Sequence, residues 1–455
     1  MASEEQAQGA EKAVEAPVVE EKEEYSRVVM LTGTGGLNKV NVQKVQKPKP
    51  KEGEVLIKVH ASGLNFADIM QRQGLYPAGK PVPYVMGYEC SGVVEAVGEG
   101  VTDFEIGSRV VAMSATFGMM AEYACVESAK VFSIPDSMSF EDAAALPINY
   151  ITAYQILFDV GHLSEGESVL IQMAGGGVGV AATQLCKTVP DVTIFGTASK
   201  PKHEKIKEQG VTHPIDYRNS CFAKEVRKIQ ADGVDIVMDP LGGKDTMKGY
   251  DLLKPFGRII CFGAANQVKG QSKSLFNAAK MWYQSTSFSP LKLIGDNKVV
   301  GGYHLGVLGQ KAPEKVRPAM IALIKLYEEG KIKPAVHEVF ALEEIRSAMQ
   351  CIQERKNVGK VLLSPLKSPP EPEKKEPAKE PEKQDTKPED EEPAKEDAEK
   401  VEPAKEDAEK VEPAKEDAEK EDDKPKDDSE TKESQEADDK TKEETQEAEK
   451  TAEES

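Results

Sequence analysis

The feature that most narrows the fold of this 455-residue chain is a glycine run, Met173-Ala174-Gly175-Gly176-Gly177-Val178-Gly179, set between two apolar patterns of different period. Ser168–Met173 reads as a buried strand and Val178–Lys187 as a helix. Glycine-rich turns are common by themselves. One that ends a strand and opens a helix is more specific, because it leaves main-chain N–H groups free at the helix start, backed by partial positive charge. The alternation continues downstream: Thr193–Thr197 reads as a strand, Lys202–Gln209 as a helix, and Asp235–Asp239 and Arg258–Gly263 as further strands. Such a series predicts a parallel, doubly wound sheet, with the glycine turn as a dinucleotide cradle at its first crossover. Ala174, Gly175, Gly176, Gly177, Val178 and Gly179 are the expected cofactor contacts there.

The second strand bears on which dinucleotide. Sites selective for NAD usually carry Asp or Glu about 20 residues after the loop to bind the ribose hydroxyls. Here that stretch reads Gly196-Thr197-Ala198-Ser199-Lys200 and holds no acid. Thr197 sits on the strand, Ser199 and Lys200 suit a 2′-phosphate, and Tyr217 adds a donor after the next helix. The expected cofactor is NADPH.

The remaining organisation follows from composition. Residues 1–24 and 367–455 carry nets of −6 and −19 against −20 for the whole chain, which leaves the body near +5. The low isoelectric point therefore belongs to the tails. The body's mild positive charge suits an anionic cofactor and gives no argument for nucleic acid. Both tails read as disordered. The second repeats Glu-Pro-Ala-Lys-Glu-Asp-Ala-Glu-Lys-Val from Glu392 to Lys420, with proline in every unit and too few apolar residues to bury a seam. Between the tails, residues 25–149 hold short β patterns punctuated by Gly and Pro, as in a partly open β-barrel. Residues 150–299 form the Rossmann half. Residues 300–366, with an amphipathic helix at Val316–Glu329, a strand at Val336–Phe340 and a helix at Leu342–Glu354, are expected to return to the first half. The six cysteines show no C-x-x-C pair, so neither a zinc knuckle nor a disulfide framework is expected. No apolar run is long enough to span a bilayer, and the N-terminus has no leader pattern.

Gly166-Glu167-Ser168-Val169-Leu170 followed by the glycine run, Gln184 and Lys187 resembles the signature of quinone oxidoreductases and zeta-crystallins. Gly63-Leu64-Asn65-Phe66-Ala67-Asp68 with Arg72-Gln73-Gly74-Leu75-Tyr76-Pro77, and Pro83 through Gly98, resemble their N-terminal motifs. The likeness covers about 25–365 and implies a medium-chain dehydrogenase/reductase, with a GroES-like catalytic domain, an inserted Rossmann domain and a chain that returns to the first. Within that family, Asn149 to Tyr154, Phe195 to Ser199, Gly210 to Tyr217 and Val234 to Gly243 resemble the synaptic vesicle membrane protein branch. That resemblance implies a cytosolic protein held peripherally at vesicle or mitochondrial outer membranes, with mitofusin-type partners and a role in mitochondrial fusion.

Zinc-dependent relatives place a Cys near the first motif and a Gly-His-Glu in the second. Here those positions read Asn65 with Asp68, and Gly87-Tyr88-Glu89, so no metal site is expected. Hydride transfer to a quinone or enone suits a metal-free site, because conjugation spreads the developing charge. The resemblance places Asn65 and Asp68 near the nicotinamide, and Tyr76 is the candidate donor to the substrate oxygen. Each also has a structural reading: Asn65 holding a turn, Asp68 capping a helix, Tyr76 packing on Pro77. Thr152 is expected at the domain junction, Gly263, Asn357 and Lys360 complete the cofactor set, and Glu89 is read as structural. No Ser or Cys stands in an activating motif with His, and no Walker sequence occurs. Leu275–Gly306 holds the sole Trp, Trp282, among aromatic and basic residues. It reads either as a patch for a membrane or partner, or as core or a homodimer interface. A membrane-associated interaction protein with a retained cofactor site and little turnover is the alternative to the reductase.

Overall fold

The sequence from Ser168 to Ile171 ends in the apolar run Val169-Leu170-Ile171, and every one of its residues is buried. Strands of this kind lie inside parallel sheets, covered on both faces. In the structure, a computed structural model describing residues 24–76, 80–268, 270–271 and 288–370, it is the pivot of a six-stranded sheet. The order is His213–Asp216, Thr193–Ala198, Ser168–Ile171, Val234–Asp239, Leu253–Cys261, Val299–Gly302. All five pairings are parallel. In sequence order this is 3-2-1-4-5-6, the doubly wound order expected from the alternation. The switch of direction beside the first strand opens a crevice at the strands' carboxyl ends, where the glycine turn lies.

The other half is built on one long strand, Glu54–Leu64, which pairs antiparallel with three partners: Glu89–Val97, Tyr123–Glu127 and Lys360–Ser364. Arg109–Met113 and Val131–Ser133 extend the sheet on one side and Val336–Ala341 on the other, and a separate three-stranded sheet holds Tyr25–Leu31. The last strand of the chain therefore closes the first domain. Contacts divide the chain into Met1–Lys374 and Lys375–Ser455, and only the first unit holds described residues.

The return takes longer than the pattern suggests. Val299–Gly302 pairs with Arg258 to Cys261, so the parallel sheet spans the expected division at 299/300. The helix Val316–Glu328 then packs its Val316, Ala319, Met320 and Leu323 into the core shared with Tyr150, Ile151 and Ala153 of the helix Pro147–Tyr154. The expected helix from Leu342 opens as a 3-10 turn, Leu342–Glu344, before continuing as Ile345–Gln353. Residues 275–287 of the aromatic–basic stretch, Trp282 among them, lie outside the described residues, as do residues 1–23 and 371–455.

Candidate active site

The glycine turn is held from the neighbouring strand. Thr197 accepts the Met173 N–H on its Oγ1 at 3.1 Å and the Ala174 N–H on its carbonyl at 3.0 Å. Met173 adopts φ 56°, a left-handed conformation that costs a non-glycine residue free energy and marks a turn constrained by its surroundings. The helix that follows, Gly177–Cys186, has no side-chain cap, so its first-turn N–H groups face the cleft unclaimed by any side chain. A Cβ on Gly179 would stand 2.4 Å from the Met173 carbonyl, and one on Gly177 would stand 2.2 Å from the Asn149 amide. These two glycines are demanded by packing as much as by a ligand. Gly359 donates to the Gly175 carbonyl at 3.0 Å, which sews the returning segment onto the turn.

From this turn a cleft of about 930 Å³ runs between the two halves. Gly175 to Gly179, Thr152, Thr197, Ser199, Tyr217, Gly263, Asn357 and Lys360 all line it, as do Asn65 and Tyr76. Three expected residues do not. Ala174 is buried behind the turn, Lys200 is exposed outside the lining, and Asp68 is sealed beneath Asn65.

The cation at the end of the second strand is Lys202, which the sequence did not single out. Its Nζ donates to the Asn357 carbonyl at 2.6 Å. Burial holds its pKa below the ordinary lysine value, and the nearby Arg218, Arg355 and Lys205 charges add to that effect. Arg355 also lines the cleft, near Tyr217. Among the described residues Glu127 is the sole carboxylate of the lining, and Lys130 pairs with it at 2.7 Å. This end of the cleft therefore gathers cations with no acid opposed to them. No signal separates Lys202 from Lys200 or Lys205 in the sequence; the 3-10 turn Lys200–Lys202 decides which one faces inward.

The opposite end is a buried polar cluster. Lys360 Nζ donates to Asn65 Oδ1 at 2.7 Å and to Glu89 Oε1. Asn65 Nδ2 donates to the same Glu89 oxygen at 2.8 Å, and the Ile148 N–H takes the other at 2.7 Å. Glu89 is fully buried and Lys360 is 3% exposed. Gly63 makes room, since a Cβ there would lie 2.2 Å from Glu89 Oε1. Below them Asp68 stands in the first turn of the helix Phe66–Gln73, with the Asn65 N–H donating to Asp68 Oδ2 at 2.8 Å. Asp68 Oδ1 has no hydrogen-bond partner. Burial is the main cause that pushes the Asp68 carboxyl up to about 7, and the Glu89 charge adds to it. Asp68 thus caps the helix, the Asn65 carbonyl accepts the Asp68 N–H at 3.1 Å, and Asn65 faces the cleft as well.

Between the two ends lies Gln172, 2% exposed, on the cleft lining directly before the turn. Neither its Nε2 nor its Oε1 has a protein partner. A buried amide left so costs free energy, and a polar ligand in the cleft would relieve it. The uncapped helix start, the cationic end and this orphaned amide together fit a dinucleotide. Among the described residues no three His, Cys, Asp or Glu groups gather to hold a metal, and none of their helices is long and apolar enough to cross a membrane.

Comparison with known proteins agrees with this architecture. Residues 51–136 match the alcohol dehydrogenase GroES-like domain and residues 209–363 the zinc-binding dehydrogenase domain. The synaptic vesicle membrane protein VAT-1 homolog of Danio rerio is 54% identical over 339 residues, 74% of this chain and 70% of that protein. The crystal structure of a human VAT-1 homolog-like protein superposes with a TM-score of 0.66 at 44% identity, covering 76% of this chain and 99% of the other. A mycobacterial protein complexed with NADPH gives 0.66 at 28% identity, covering 75% and 100%. A Pseudomonas syringae quinone oxidoreductase gives 0.65 at 28%, with the same coverage. The chain belongs to the medium-chain dehydrogenase/reductase family, among relatives of the synaptic vesicle membrane protein VAT-1.

Proposed function

We propose that this protein is an NADPH-dependent reductase that transfers hydride to a quinone or enone without a metal. The observation that carries this reading is the continuity of the cleft. One end offers phosphate-binding N–H groups and unopposed cations, and the other offers a hydroxyl and an amide beside a space lined by Leu64, Phe66, Met70, Met113 and Phe132. NADPH rather than NADH is favoured by Ser199, Lys202, Tyr217 and Arg355 lining the adenosine side with no acid to bind a free ribose diol. The relative solved with NADPH supports the same choice. Gly175 to Gly179 would hold the pyrophosphate, with Thr152, Gly263 and Asn357 flanking it. When bound, the reduced nicotinamide supplies a hydride. The chain's own residues align the acceptor beside Asn65 and meet the oxygen's growing negative charge with the Tyr76 hydroxyl. Metal-free chemistry is favoured by the occupancy of the polar end: Asn65 and Tyr88 stand at the ligand positions of zinc-dependent relatives, and the Lys360 ammonium already neutralises Glu89. The test is loss of NADPH absorbance across a panel of quinones and enones. Saturable turnover with at least one acceptor is expected, and none across the panel despite NADPH binding would overturn the reading.

Peripheral membrane association is the second reading, favoured by the names of the relatives and by Leu291 and Ile294, 80% and 71% exposed on the short helix Pro290–Asp296. Co-sedimentation with anionic liposomes tests it, and protein left wholly in the supernatant would remove it.

A further inference from the structure

Tyr76 follows the helix Phe66–Gln73, and across the cleft its Oη meets Nε2 of His304 at 3.1 Å. His304 follows the last parallel strand and caps the helix Leu305–Lys311: the Val307 N–H donates to His304 Nδ1 at 3.1 Å. A backbone N–H can only donate. Nδ1 therefore carries no hydrogen, and the neutral ring must hold its proton on Nε2. The contact to Tyr76 then has one polarity, with His304 Nε2–H donating and Tyr76 Oη accepting. Tyr88 lines the same cleft. Its own oxygen accepts from Gln71 Nε2 at 2.5 Å, and the other end of that amide accepts from the Tyr84 hydroxyl at 2.9 Å. With His304 donating to the Tyr76 oxygen, no hydrogen bond among the described residues takes the single Tyr76 O–H proton, which is left for the open cleft. Gly306 leaves room for the imidazole, since a Cβ there would lie 3.1 Å from the His304 ring.

We infer that His304 is a positioning residue that aims the Tyr76 proton at the acceptor. The inference rests on the reductase reading and deepens it. Once the acceptor has taken up two electrons and a hydrogen, its oxygen bears negative charge. The Tyr76 O–H bond breaks and a new O–H bond forms on that oxygen. The tyrosinate left behind keeps the hydrogen bond from His304 Nε2–H and regains a proton from water entering the cleft. His304 itself changes no charge. It lowers the cost of the tyrosinate and fixes which way the neutral hydroxyl points. The ionisable groups facing Tyr76 are Asp68, Tyr88 and His304, and burial together with Asp68 keeps its hydroxyl above the ordinary tyrosine pKa, protonated until called on.

Two measurements test this on the full-length chain. Nitrogen-15 NMR of the histidines, assigned by the signal lost in His304→Asn, should show His304 as the Nε2–H tautomer without any acceptor present. An Nδ1–H tautomer would overturn the inference whatever the enzyme turns over. In steady-state assays with an active acceptor, His304→Asn keeps a capping oxygen for Val307 but cannot reach Tyr76. It should lower kcat about tenfold with KM for NADPH unchanged, Tyr76→Phe should lower it about a hundredfold, and the double variant should be no slower than Tyr76→Phe alone. Fully additive losses, or His304→Asn at wild-type kcat, would overturn the role of His304 and leave the reductase reading intact. A wild type that turns over no acceptor would overturn both the reductase reading and the catalytic role assigned here.

Discussion

The two ends of the cleft are built by different means. The glycine turn is seven consecutive residues whose ligand-facing groups are main-chain N–H donors, so one short stretch of sequence specifies it. The polar end is made of side chains from three distant stretches: Asn65 lies 24 residues from Glu89 and 295 from Lys360. The first depends on the absence of atoms at Gly177 and Gly179, the second on charges that neutralise one another in a place water does not reach. Substitution should therefore harm the glycine end through binding and the polar end through stability.

The largest effect should come from Lys360→Met. It leaves Glu89 fully buried without its cation, and breaking a buried pair in this way costs about 3 to 5 kcal/mol. Urea unfolding reads the loss, and adding Glu89→Gln should restore much of it. A loss below about 1 kcal/mol would mean that the polar end is not held by charge.

Asp68 gives the next effect, through pH. Its carboxyl titrates at about 7 when folded and near 4 when unfolded. Between those values the folded chain keeps a proton that the unfolded chain has released, so stability falls as pH rises through this window and levels off above it. Asp68→Asn removes the dependence. From pH 5 to pH 8 the variant should gain on the wild type by roughly 2 kcal/mol, read from urea midpoints. A constant difference would show that Asp68 stays ionised throughout.

At the glycine end, Gly179→Ala drives a Cβ against the Met173 carbonyl, 2.4 Å away, and backbone must move. NADPH affinity in a fluorescence titration should fall by about tenfold or more, roughly 1.4 kcal/mol, while the unfolding midpoint changes less than in Lys360→Met. Unchanged affinity would remove the turn from the binding site. The smallest effect is Lys202→Ala, which should weaken NADPH by about tenfold and leave NADH nearly untouched. Equal weakening of both would assign Lys202 to the pyrophosphate.

The same contrast explains how much was legible in the sequence. The parallel sheet and the glycine turn follow from local pattern, because strand, turn and helix are neighbours along the chain. Asn65, Asp68 and Tyr76 stand out by motif likeness, and the Asp68 cap at the start of its helix alone is within reach of local reasoning. Lys202 could not be chosen over Lys200, because the choice depends on a single 3-10 turn. His304 was passed over because histidine is an uncommon cap and its partner lies 228 residues away. The Glu89–Lys360 pair joins a strand of the first half to the final strand, and only the closing of the sheet brings them together.

The central claim is that the cleft takes NADPH through its acid-free, cationic end. Parallel titration of the full-length protein with NADPH and NADH tests it most directly. NADPH should bind at least about tenfold more tightly, a difference of roughly 1.4 kcal/mol. Equal affinities, a preference for NADH, or binding of neither would contradict it.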